Sequence, residues 1–314
     1  MAFQLAFAAI TAAIITGSLA GRMKFAAVIA FIAIWSVVVY APLAHMVWGG
    51  DGSFIGDKIG ALDFAGGDVV HISSGLTGLV LAVLLGKRRG FGMMAYRPHN
   101  VPFVLLGAGL LWFGWFGFNA GSAFAADAVA ALALLNTMVA PAAAMLAWML
   151  VEAAHTRKVT LVGACTGVVT GLVAITPAAG FVDVWAAVVM GVVTAPICYA
   201  AIAFLKPRFG YDDALDAFGC HTVGGIVAAF DGRVLCSRAI LDRSGRSLYT
   251  GDPSLLVSQL LGILVTIAFV AVATLVIGFV LKAAFHGLRV DAREEGRLGC
   301  PPAWRECLSV VQRS

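Results

Sequence analysis

Runs of about 20 mostly apolar residues follow one another along nearly the whole chain, and that length is what a helix needs to cross a hydrocarbon core of ~30 Å. Inside lipid no water is present to satisfy backbone N–H and C=O groups, so such runs must fold as helices that satisfy them internally. We place nine spans, near residues 2 to 20, 25 to 48, 66 to 86, 101 to 120, 128 to 152, 159 to 178, 182 to 205, 213 to 230 and 254 to 285. The fold class is therefore all-α: a polytopic transmembrane helical bundle of about nine spans. Composition closes the alternative, because 61% hydrophobic and 12% charged residues leave far too little polar surface to clothe a soluble domain. At about 1.5 Å per residue the last span is longer than the hydrocarbon core, so it should tilt or project.

Charge sets the orientation. Loops alternate between two faces, and the 21 Lys and Arg residues divide unevenly between them. Arg22, Lys24, Lys87, Arg88, Arg89, Arg97, Arg157, Lys158, Lys206, Arg208 and all those from Lys282 onward fall on one face. Lys58, Arg233, Arg238, Arg243 and Arg246 fall on the other. The positive-inside rule assigns the first face, with the C-terminus, to the cytoplasm of a multi-pass membrane protein. The same bias accounts for the net charge of +4, so no nucleic-acid partner is called for. Met1 runs directly into Ala2, Phe3 and Gln4 with no basic residue ahead of the apolar run, which reads as a transmembrane helix lacking its beginning rather than a signal peptide. Cys165, Cys198 and Cys220 lie within spans as small apolar residues, Cys236 is alone in an outer loop, and Cys300 and Cys307 sit in the tail; no metal-ligand spacing is present.

Several residues stand out against this background. Gly163, Gly167 and Gly171 recur every fourth position, which bares one helix face for close crossing by a neighbour. Leu62-Asp63-Phe64-Ala65-Gly66 and Leu215-Asp216-Ala217-Phe218-Gly219 echo one another, each opening a span and each followed shortly by a histidine. The first of these spans runs inward and the second outward, as an inverted repeat requires. The histidines, His71 and His221, lie deep in apolar spans, where an ionisable side chain is expensive and marks a site. A facing neutral pair would make a polar wire through an apolar channel; two separately satisfied histidines and bis-histidine haem ligation are the other readings. Asp63 and Asp216 stand where a carboxylate caps free N–H groups, and Asp68, one turn before His71, has no assigned role. Trp48 ends the second span, as an interfacial belt residue or as a ring face for a cation, with Ser122 a possible hydroxyl acceptor nearby. Phe3, Phe7 and Phe118 read as ordinary span residues.

Four segments carry a resemblance. Residues 61–72 (ALDFAGGDVVHI), 114–123 (GWFGFNAGSA), 171–180 (GLVAITPAAG) and 218–226 (FGCHTVGGI) resemble, in order, signature segments of the Amt/Mep/Rh ammonium transporters, and the likeness runs from about Phe3 to Gly296. The resemblance implies an eleven-span inverted-repeat fold, ammonium transport rather than an enzymatic activity, and no cofactor. It implies that Phe3, Trp48 and Ser122 form an outer ammonium site supported by Asp63, with Thr176 near the same vestibule. It likewise implies that Phe7 and Phe118 are a stacked gate and His71 and His221 the twin pore histidines. A homotrimer in a bacterial inner membrane, with a P-II-type signal protein at the cytoplasmic face, follows from the same likeness. Within that pattern the chain begins inside the third span. The expectation is a transporter domain over residues 1–286 that lacks two helices and part of another, with a tail over 287–314 that is family-like only to about 296. A non-conducting fragment, or a sensor with the same fold, are the competing expectations.

Overall fold

The computed structural model describes residues 1–92, 98–234, 254–291 and 294–295. Arg97, Cys236, Arg238, Arg243, Arg246, Cys300, Cys307 and the divergent tail beyond residue 295 lie outside the described residues. Among the described residues nine helices occupy the nine expected spans. They are α1 (Ala2–Leu19), α2 (Phe25–Trp48), α3 (Gly67–Leu85), α4 (Val101–Gly121), α5 (Ala128–Thr156), α6 (Leu161–Ile175), α7 (Val184–Phe209), α8 (218–234) and α9 (Ser254–Ala284). Seven of them are long and apolar enough to cross a membrane, and α6 is a shorter apolar helix of 15 residues. Two of the bounds that differ from expectation have a direct physical cause. Helix α6 stops at Ile175 because Pro177 cannot donate an N–H and restricts the residue before it. Helix α8 begins at Phe218 because residues 213–217 form a capping turn instead.

Burial follows position in the bundle. Every residue from Gly67 to Gly78 is buried, which makes α3 the inner helix, whereas α4 leaves Phe103, Leu106, Leu110 and Phe113 exposed as a lipid-facing helix can. Helix α9 buries a single face, with Gln259, Gly262, Thr266, Val270, Thr274 and Ile277 at helical spacing, and crosses α2, α3 and α8. Thr77 and Thr274 hydrogen bond across that crossing at 3.1 Å.

The glycine stripe on α6 performs the packing its spacing suggests. A Cβ on Gly167 would lie 2.7 Å from Trp148 Cβ, and one on Gly171 2.5 Å from Pro141 Cα, so α6 and α5 meet backbone to backbone. Pro141 lies inside α5 and has no N–H for the carbonyl of Thr137 one turn earlier. The Trp112 indole N–H of α4 donates to that carbonyl at 3.0 Å, so the break in one helix becomes a tie to the next.

One end of the bundle is basic and tightly bonded. Arg22, fully buried after α1, faces the Asp212 carboxylate at 2.9 Å and donates to the carbonyls of Ser18 and Gly86 at 2.6 and 2.9 Å. Arg88 adds a fork to Asp212, with its Nη2 at 2.7 Å. The chain after α9 returns along this end: Lys24 N–H donates to the Leu288 carbonyl at 2.8 Å and Val290 N–H to that of Arg22 at 2.9 Å. Arg289 reaches Glu295 at 2.7 Å.

Candidate functional site

The two histidine-bearing helices open alike. Each begins with a six-residue π-helical turn, Gly67–Ile72 in α3 and Phe218–Val223 in α8, and each turn carries its histidine. Such wide turns redirect side chains and recur at functional sites. The Asp63 carboxylate accepts the N–H groups of Gly66, Gly67, Asp68 and Val69 at 2.7, 2.6, 2.8 and 3.3 Å, which holds the first turn in place. On α8 the expected cap is corrected. Asp216 is not the capping residue: it pairs with Lys206 at 2.5 Å, while Asp213 accepts the Phe218 N–H and the Ser18 hydroxyl, each at 2.7 Å. Asp213 stands as far ahead of His221 as Asp63 does ahead of His71, and both carboxylates accept from the N–H five residues on. The repeat is thus anchored by Asp213, which sequence similarity in Leu215–Gly219 obscured.

Helices α3 and α8 cross where glycines remove the obstacle. One turn beyond His71, a Cβ on Gly75 would lie 2.4 Å from Thr222 Oγ1; one turn beyond His221, a Cβ on Gly225 would lie 2.9 Å from Ile72 Cγ1. The close approach brings His71 Nδ1 to 3.2 Å from His221 Nδ1, with ring centroids 5.3 Å apart. One Nδ1 donates and the other accepts, so two neutral rings present a bare Nε2 at one end and an Nε2–H at the other. His71 is fully buried and its Nε2 has no protein partner.

Aromatic rings surround this pair on the side away from the basic end. Trp115, which sequence reasoning missed, stacks on His71 at 5.4 Å and 12°, and its indole N–H donates to Thr176 Oγ1 at 2.9 Å. Thr176 in turn donates to the Leu172 carbonyl at 2.7 Å, so a buried hydroxyl holds the indole from behind. The signal for Trp115 was its place one turn before the buried Asn119, on the one face of α4 that packs inward. Phe7 and Phe118 stack face to face, with centroids 4.0 Å apart and planes 6° apart. Beyond them Phe3 lies 4.7 Å from Phe7, and Trp48 meets Phe7 edge-on at 5.8 Å. Trp48 is tied down by its indole N–H, which donates to the Asp63 carbonyl at 2.7 Å. The Ser122 hydroxyl donates to the Phe118 carbonyl at 2.9 Å, which leaves its oxygen able to accept a further hydrogen bond. Among the described residues no group of three His, Cys, Asp or Glu side chains is placed to hold a metal ion.

At the basic end, burial pushes the Asp212 carboxyl up, but the hydrogen bonds from the Arg88 side chain and backbone, with the Arg22 charge, hold it below the usual carboxylate range. Glu295 is likewise held low against burial by its bonds from Arg289 and the Arg89 N–H.

The Ammonium Transporter Family model matches residues 1–299. An ammonium transporter of Aquifex aeolicus is 52% identical over 93% of this chain and 67% of its own length. Among solved structures, Saccharomyces cerevisiae Mep2 superposes with a TM-score of 0.83 at 37% identity, over 91% of this chain and 65% of that one. A protein titled Sensor Amt Protein superposes with a TM-score of 0.84 at 30% identity, over 94% of this chain and 74% of that one. The chain belongs to the ammonium transporter family, and it spans about two thirds of the length of the yeast and Aquifex relatives.

Proposed function

We propose that this chain moves ammonium across a membrane by recruiting the cation at an outer aromatic site, removing its proton and passing ammonia along the His71–His221 pair. The observation that carries the reading is the 3.2 Å Nδ1 to Nδ1 contact beneath the stacked Phe7 and Phe118 rings. A bare ammonium ion in mid-membrane costs several kcal/mol, with about 2.5 to 3.5 the low figure for a charged side chain, so the neutral molecule is the species able to pass. Phe3 and Trp48 offer ring faces to the cation, Ser122 offers a hydroxyl oxygen, and Asp63 fixes both the Trp48 indole, through its carbonyl, and the first turn of α3, through its carboxylate. The phenyl pair excludes water, and ammonia then donates to the bare Nε2 or accepts from the protonated one. Exchange of tautomers across the shared Nδ1 proton offers the released proton a relay. Potassium, with no proton to lose, stays outside.

The basic end is cytoplasmic in this reading, which puts the C-terminus there in a bacterial inner membrane, and the working unit is a homotrimer open to a P-II-type signal protein at that face. The charge division between loops supports the orientation, and family membership supports the rest.

Uptake of labelled methylammonium by transport-deficient cells tests the proposal. Uptake should appear with the wild-type chain and vanish with His71→Ala or His221→Ala; equal uptake in all three overturns it. A sensing role is the second reading, favoured by the structural likeness to the Sensor Amt Protein. Saturable binding of methylammonium by purified protein that moves none across vesicles selects sensing.

A further inference from the structure

One residue at the mouth of the aromatic file carries two costs that packing does not explain. Helix α4 ends at Gly121, and Phe124 follows with φ at 53°, in the left-handed region that favours glycine and burdens a bulky side chain. Its N–H closes the turn onto the Gly121 carbonyl at 3.0 Å, so the conformation is held by the turn. In the single chain the residue is 73% exposed, so the bundle core does not bury it. What the ring does touch is Phe3, edge-on, at 5.1 Å and 70°. Phe3 is seated by Gly121, where a Cβ would come within 2.8 Å of Phe3 Cε2. Phe124, Phe3, Phe7, Phe118 and His71 thus form an unbroken file of rings, with steps of 5.1, 4.7, 4.0 and 6.5 Å, from the surface to the first histidine.

We propose that Phe124 is the outermost cation-binding ring of the recruitment site, where ammonium and small alkylammonium ions make their first aromatic contact. The proposal rests on the recruitment reading given above. A ring face held clear of the core by a strained turn attracts a cation, and it does so best when a second ring, here Phe3, borders the same space and displaces water. A lipid-interface anchor would also expose its ring, but it would leave cation affinity untouched.

The test is methylammonium affinity in the full chain, read both as half-saturation of uptake in cells and as quenching of tryptophan fluorescence in purified protein, which needs no flux. Phe124→Gly and Phe124→Leu should weaken affinity by roughly two- to fivefold, the range expected for one partly exposed ring. Phe124→Tyr, which keeps a ring, should restore wild-type affinity, and Phe124→Gly should raise the unfolding midpoint because the turn is relieved. Unchanged affinity in Phe124→Gly, or equal weakening in Phe124→Tyr, overturns the proposal, as does an absence of methylammonium binding to the wild-type protein. Trp48→Leu separates the two claims. If Trp48→Leu weakens binding and Phe124→Gly does not, Phe124 is an anchor only; if neither does, the recruitment reading fails as well.

Discussion

Replacing Asp63 by Asn tests the link between helix capping and the placement of His71. The carboxylate uses Oδ1 for Gly66 and Gly67 and Oδ2 for Asp68 and Val69, so four backbone donors converge on two acceptor atoms. Asparagine keeps one oxygen and sets an NH2 group against the other two donors. The Asp68 and Val69 N–H groups both lose their acceptor, and each buried donor left unmatched costs about 1 to 3 kcal/mol. A total of roughly 2 to 6 kcal/mol is a large share of the whole stability of many folded proteins, about 5 to 15 kcal/mol, so the turn should move rather than absorb it. His71 rides on that turn, and a misplacement of ~1 Å at a reacting group can cost about a hundredfold in rate. Asp63→Asn should therefore lower the unfolding midpoint of the detergent-purified protein and cut methylammonium uptake at least about tenfold, with Asp63→Ala no milder. Wild-type uptake and an unchanged midpoint in Asp63→Asn would refute the reasoning.

Three further outcomes follow from the geometry. Thr176→Val strands the buried Trp115 N–H at a cost of about 1 to 3 kcal/mol and frees the indole that stacks on His71; uptake should fall in this variant and recover in Thr176→Ser. Gly171→Ala places a Cβ 2.5 Å from the Pro141 backbone and should destabilise by about 1 to 3 kcal/mol, whereas Gly107→Ala, with open space around it, should melt at or above the wild-type midpoint. Asp212, whose folded pKa is depressed, contributes stability that is fully present above the ordinary carboxylate range and lost as pH falls through its lowered value. Melting midpoints of the wild-type protein should drop from about pH 5 downward, and Asp212→Asn should lower the midpoint at neutral pH and flatten that acid limb.

The spans were legible because lipid demands long apolar runs, and the α6 stripe because a four-residue glycine period can serve only one helix face. His71 and His221 announced themselves by cost, being ionisable side chains at a depth where few occur. What stayed hidden depends on local geometry without a compositional mark. A π-helical turn leaves no trace in a hydropathy pattern, so the displacement that aims both histidines at one another could not be read. Trp115 looks like Trp112 and Phe113 in sequence, yet one lies against the histidine, one ties down a broken helix and one faces outward. Asp213 and Asp216 are both acidic residues ahead of a histidine. Only the pairing of Asp216 with Lys206 reveals that Asp213 is the cap.

Paired tracer flux distinguishes passage of a neutral molecule along the proposed histidine route from passage of a cation. Vesicles containing the purified chain would be loaded and assayed with labelled methylammonium and with rubidium, a potassium surrogate that carries no proton. Methylammonium flux should saturate, rubidium flux should not exceed that of empty vesicles, and methylammonium flux should be lost in His71→Ala and His221→Ala. Rubidium crossing at a comparable rate, or methylammonium flux indifferent to both substitutions, would contradict passage of a neutral molecule along the histidine route.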